Sequence, residues 1–201
     1  MPTPQTDPSP PSVLARASDL VDRALSAVEK GTLALAVLAL FGIMVLIFID
    51  GVLRYVANSP LTFVVDVVVL YLISAGFLLV LSYTLRHNGH IHVEVFADMM
   101  PKRLQRLLSG LAYLGAAPVV GIMAIEMIHL TLESYVQGEV LIGLYPMPLW
   151  LSKAIVAFSL AVLELRILHM GIFNTLSALT NRPRLAIRMS LPIDNPEEEM
   201  V

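Results

Sequence analysis

Cysteine is absent from the 201 residues, which excludes disulfides, thiolate metal sites and cysteine nucleophiles and leaves the redox compartment unreadable from thiol usage. Charge is scarce too. Only 14% of residues are charged against 57% hydrophobic, and the mean hydropathy is +0.77, values that exclude a water-soluble domain of this size. A Gly-rich phosphate loop is missing, and no serine, histidine and acid stand where a hydrolase needs them. An enzyme is therefore not expected, nor a nucleic-acid partner.

The chain is filled instead by four apolar runs, Leu33 to Leu53, Leu61 to Leu81, Leu107 to Leu130 and Leu149 to Leu168. At a rise of about 1.5 Å per residue, roughly 20 apolar residues cross a hydrocarbon core of about 30 Å. Each run meets that length. The expected fold is all-α, an integral membrane protein with four spanning helices occupying residues 31–171.

Basic residues set the expected orientation. Arg16, Arg23 and Lys30 precede the first span, Arg86, Lys102, Arg103 and Arg106 lie between the second and third, and Arg182, Arg184 and Arg188 follow the fourth. The other two connections carry only Arg54 and Lys153. The positive-inside rule then places both termini and the central loop in the cytoplasm, with two short outward hairpins near residues 57–60 and 131–148.

Residues 1–11 contain five prolines and read as a disordered tail. No secretory signal is expected, because the first apolar run starts late and meets Asp50 and Arg54. Residues 12–30 read as an amphipathic helix before the membrane. Val13, Leu14, Ala17, Leu20, Val21, Ala24, Leu25 and Val28 recur at helical spacing opposite Arg16, Asp19, Asp22, Arg23 and Glu29. It is expected at the cytoplasmic interface or against a partner subunit. Its nearly balanced charge argues against an anionic-lipid anchor. Residues 172–201 are expected to form a cytoplasmic, solvated tail.

Small residues mark candidate helix contacts: Ala112 with Ala116, Ala117 with Gly121, Ala157 with Ala161, and Ser74, Ala75 and Gly76. Pro118 is a candidate kink in the third span. Among charged groups, Asp50 and Arg54 are four apart and read as an internal ion pair. Asp66 is either a contact to a partner helix or cation, or an interfacial carboxylate near Arg54. Glu126 and Lys153 are expected to pair likewise. Glu164, Arg166 and His169 are expected to reach the headgroups. No proton relay is expected, since the midplanes read as apolar, and neither repeated halves nor interrupted helices are found.

The histidines open an alternative, a haem-binding electron-transfer subunit using His87 or His90 with His169. A stand-alone carrier is a further reading. The first reading assigns no metal and no cofactor.

Three segments carry a resemblance over roughly Ala27 to Gly171. At the first hairpin, Gly51-Val52-Leu53-Arg54-Tyr55-Val56 runs through Asn58 and Pro60-Leu61 to Phe63 and Asp66. At the end of the second span stands Arg86-His87-Asn88-Gly89-His90-Ile91-His92-Val93, and before the fourth Pro146-Met147-Pro148-Leu149-Trp150-Leu151. In order and position these resemble the small membrane subunit of tripartite ATP-independent periplasmic (TRAP) transporters, the DctQ-like family. Phe63 stands where that family usually has tryptophan, Val65 where a first glutamate often occurs, and Asp66 in place of the second.

The resemblance implies a secondary-active, binding-protein-dependent importer of organic acids in the bacterial inner membrane. Its partners would be a large membrane subunit, a periplasmic solute-binding protein and membrane lipid. The small subunit scaffolds the large one and contributes to the docking face. Arg54, Tyr55, Asp66 and Trp150 become the expected subunit or docking contacts, and Arg86, Gly89 and His90 an inner-loop structural motif.

Overall fold

A computed structural model of the chain describes residues 13–86, 102–142 and 145–180. Gly89, His90 and His87 lie outside the described residues, as do the tail at 1–11 and the end of the chain beyond Thr180.

Helix α1 (Val13–Val56) is 44 residues long and so about 66 Å from end to end. The amphipathic segment expected at 12–30 is helical and continues into the first span without a break. Its burial does not divide into one polar and one apolar face. Ser18, Leu25, Glu29, Thr32, Ala36 and Ala39 are buried, whereas Leu20, Val21 and Val28 point outward. Asp19, Arg23 and Lys30 are exposed with them, so of the charged side chains described between residues 18 and 32 only Asp22 and Glu29 meet the rest of the bundle, through Arg166.

The second span is segmented. Helix α2 (Val64–Val67) passes into a π-helical turn at Val68–Leu72, then α3 (Ile73–Leu78), a turn at 79–80, and α4 (Leu81–Arg86). This interruption was not expected from the sequence. A π-turn leaves carbonyls without their usual donors. Here the Ser152 hydroxyl from the fourth span donates to Leu70 O at 2.6 Å, and Tyr71 donates to Pro148 O at 2.8 Å. The irregular turn is thereby fastened to the start of the last helix. Gly76 lets α3 close on α1, since a Cβ there would sit 2.9 Å from Leu40 Cδ2.

Helix α5 (Lys102–Gln137) carries Pro118 on an exposed side and remains one helix through it. It ends in a Schellman motif. Gly138 takes φ +61°, its N–H donates to Tyr135 O, and the Glu139 N–H donates to Ser134 O. Strands β1 (Val140–Leu141) and β2 (Met147–Pro148) then pair antiparallel, Val140 opposite Pro148. The Leu149 N–H donates to Glu139 O at 3.0 Å, starting α6 (Leu149–Thr180).

The four helices expected to span the membrane are all present. Helix α6 is the hub. Half of its most apolar stretch is buried, against 17% for α1 and 11% for α5, so α1 and α5 keep most of their apolar surface uncovered. The principal neighbour of α5 is α6, while α1, α3 and α4 gather on α6 as well.

Candidate functional site

The dominant polar feature lies where α1, α4 and α6 meet, at the end away from the hairpins. Arg166 of α6 is fully buried, and so is Glu29 of α1. They form a two-pronged pair: Arg166 Nε donates to Glu29 Oε1 at 2.6 Å and Nη2 to Glu29 Oε2 at 2.5 Å. The third prong, Nη1, reaches Asp22 Oδ1 at 2.6 Å. Asp22 and Glu29 are seven residues apart on one helix face, so a single planar guanidinium spans both.

Helix α4 closes the cluster. Arg86 Nη2 donates to Asp22 Oδ2 at 3.2 Å and its Nη1 lies 3.8 Å from Glu29 Oε2. The Ser82 hydroxyl donates to Glu29 Oε1 at 2.6 Å. Two carboxylates and two guanidiniums thus neutralise one another across three helices. His169, one turn from Arg166, is buried beside them with its ring edge-on to Phe173, centroids 5.0 Å apart.

At the other end Asp50 organises the first hairpin. Its Oδ2 accepts from Arg54 Nη2 at 2.8 Å and its Oδ1 from the Leu61 N–H at 2.7 Å, so one carboxylate pins both sides of the turn. Asn58 occupies the left-handed region at φ +50°, which asparagine tolerates better than most residues. Asp66 sits in the first turn of α2, where unsatisfied N–H groups favour a carboxylate. It has no ion-pair partner among the described residues.

The second hairpin is held by Lys153 Nζ on Glu139 Oε2 at 2.6 Å, and that ammonium keeps the Glu139 carboxyl below the usual glutamate range. Trp150 packs edge-on against Tyr135 with centroids 5.5 Å apart, and Phe63 against Tyr145 at 6.0 Å, joining the two hairpins. Tyr55, Val136 and Ile142 are left exposed around them.

Asp50 therefore outweighs Asp66 for stability. Asp50→Ala is expected to lower the thermal midpoint of the detergent-solubilised protein by at least about 2–4 °C, whereas Asp66→Asn leaves it nearly unmoved. Equal shifts in a melting assay would show that the hairpin does not depend on the Asp50 carboxylate.

The expected Asp50–Arg54 pair is formed. Glu126 does not pair with Lys153, because it is exposed on α5 while Glu139 in the hairpin reaches that ammonium. Arg166 and His169 do not reach the headgroups. The rotation of α6 turns them into the bundle, where Asp22 and Glu29 await them. Arg86, expected as part of an inner-loop motif whose Gly89 and His90 lie outside the described residues, joins this cluster through Asp22. The signal for it was present in the sequence: two acids seven apart on one face, and an arginine within an apolar run.

Among the described residues, no three histidine or acidic side chains gather as a metal-binding set. A family model described as the DctQ component of tripartite ATP-independent periplasmic transporters matches residues 43–176. No curated protein and no solved structure matches the chain.

Proposed function

The chain belongs to the DctQ component family of tripartite ATP-independent periplasmic transporters, and from that membership we propose that it is the small permease subunit of a secondary-active, binding-protein-dependent importer of organic acids. Both termini and the charge cluster face the cytoplasm of a bacterial inner membrane, and the two hairpins face the periplasm. The chain scaffolds a large membrane subunit, and Arg54, Tyr55, Asp66 and Trp150 contribute to the face that meets that subunit or the solute-binding protein.

One observation supports the auxiliary role above others. The buried Arg166 and Glu29 are engaged with each other and with Asp22 and Arg86, while α1 and α5 leave most of their apolar surface uncovered. A carrier acting alone would instead line a midplane cavity with the open ends of broken helices related by an internal repeat. Helices whose outer faces are apolar and uncovered are suited to packing on a larger membrane partner.

Purifying the tagged chain from its native membranes in mild detergent tests this. The expected result is stoichiometric recovery of a much larger polytopic protein, with no haem absorption band. Arg54→Ala with Tyr55→Ala should keep that recovery while reducing solute uptake into cells. Isolation of the chain alone, or with a Soret band, would overturn the proposal.

A further inference from the structure

Beside the charge cluster, an open pocket of about 520 Å³ lies between α1 and α4, within the range that holds a small ligand. Asp22, Arg23, Ser26 and Lys30 line one wall, successive positions of one helix face, and Tyr83 and Arg86 the other. We propose that this pocket binds a phosphate-bearing anion.

The argument is one of charge segregation. Along α1 the acids and bases nearly balance, which in sequence speaks against an anionic ligand. Folding separates them. Both Asp22 oxygens accept from guanidiniums, Oδ1 from Arg166 and Oδ2 from Arg86, and Glu29 is buried behind them, held by Arg166. Those two carboxylates and two guanidiniums cancel. Arg23 and Lys30 remain on the wall, with no ion-pair partner among the described residues. The residues lining the pocket thus carry an excess of two positive charges. Ser26 is not a competing donor, since its hydroxyl already donates to the Asp22 carbonyl.

The position suits a lipid phosphate. Lys30 stands three residues before the apolar run that starts at Leu33, and Tyr83 lies near the end of the second span, the depth at which tyrosine and basic side chains meet headgroups. Free phosphate would satisfy the same donors. This inference does not depend on the transport reading, because it concerns only how α1 and α4 meet the membrane surface.

The test compares wild type with Arg23→Gln/Lys30→Gln, which removes the charge, and with Ala27→Trp, which keeps the charge but fills the pocket that Ala27 lines. All three residues are exposed, so the fold should persist, and circular dichroism checks it. Thermal midpoints are read in nanodiscs of phosphatidylcholine with and without phosphatidylglycerol, and in detergent with inorganic phosphate. Native mass spectrometry counts retained phospholipid. Each basic residue near a phosphate is worth about a fivefold factor in affinity, so the double variant should bind about 25-fold more weakly.

Stabilisation by phosphatidylglycerol that both variants abolish supports the site and identifies a lipid headgroup. Stabilisation by inorganic phosphate alone, again lost in both, supports it and identifies the free anion. If wild type responds to neither, or if Ala27→Trp keeps the full response, the pocket is not an anion site and any attraction is diffuse surface charge.

Discussion

Arg166→Met is expected to be among the most damaging single substitutions in the protein. The arginine side chain is fully buried and answers Glu29, itself fully buried, through two hydrogen bonds of 2.6 and 2.5 Å. Methionine fills similar space but leaves the Glu29 carboxylate, among the described residues, with the Ser82 hydroxyl and an Arg86 nitrogen 3.8 Å away. Removing one partner of a buried pair costs about 3–5 kcal/mol, because the remaining charge stays desolvated. The loss should appear as a large fall in thermal midpoint and as faster proteolysis near residues 13–32, the segment that the cluster ties to α4 and α6. Arg166→Lys should fall between wild type and methionine, since one ammonium cannot hold Asp22 and Glu29 with the same fork.

The matching control is Glu29→Leu with Asp22→Asn and Arg166→Met together. Replacing buried ion-paired groups by uncharged ones is often close to neutral, and Arg86, the one charge kept, is part-exposed and can be hydrated, so this triple variant should recover most of the stability lost by Arg166→Met alone. A triple variant as unstable as the single one would mean that the arginine acts through packing and not through charge. A single variant within about 1 kcal/mol of wild type would remove the cluster from any account of how α1 is anchored.

What the sequence revealed here, and what it concealed, divides by range. The spans were legible because bilayer thickness fixes helix length. The Asp50–Arg54 pair was legible because four residues on one helix fix the distance. Glu29 and Arg166 are 137 residues apart, and whether they meet depends on how α1 and α6 rotate about their axes. That rotation follows from packing, which composition does not encode. The same uncertainty hid that Asp22 and Glu29 of the amphipathic segment turn to Arg166 while Asp19 and Arg23 stay exposed, and it separated Glu126 from Lys153. Among the small residues, Gly76, Ala117 and Ala157 are buried at contacts, whereas Ala112 and Ala116 have the same four-residue spacing and lie exposed. The π-turn at Val68–Leu72 left no trace in the sequence pattern, because its stabilising donors, Tyr71 to Pro148 and Ser152 to Leu70, are tertiary.

Gly110→Val should rival Arg166→Met in effect, by a mechanism that involves no charge. A Cβ built on Gly110 lies 2.3 Å from Thr175 Oγ1, 2.8 Å from Thr175 N and 3.2 Å from Thr175 Cα. The hydroxyl is already committed to Gly171 O at 2.7 Å, and the other two atoms are backbone, so nothing local can yield. Valine would have to push α5 off α6 at this end. Gly171 faces a similar constraint, with Leu114 Cγ at 3.1 Å and Leu114 N at 3.3 Å from a built Cβ. Overpacking ordinarily costs about 1–3 kcal/mol, and Gly110→Val should reach or exceed the top of that range, since the clash is with backbone. Gly115, one turn and a half away on the same helix, has nothing within 4 Å. There alanine should be tolerated, or even stabilise by up to about 1 kcal/mol through helix propensity. Melting the two variants in one detergent separates close packing from propensity, and equal midpoints would show that α5 is not seated on α6 through Gly110. Because α6 is the principal neighbour of α5 among the described residues, which give a third span loosened there no second contact of comparable extent, recovery of the folded chain should fall with the midpoint.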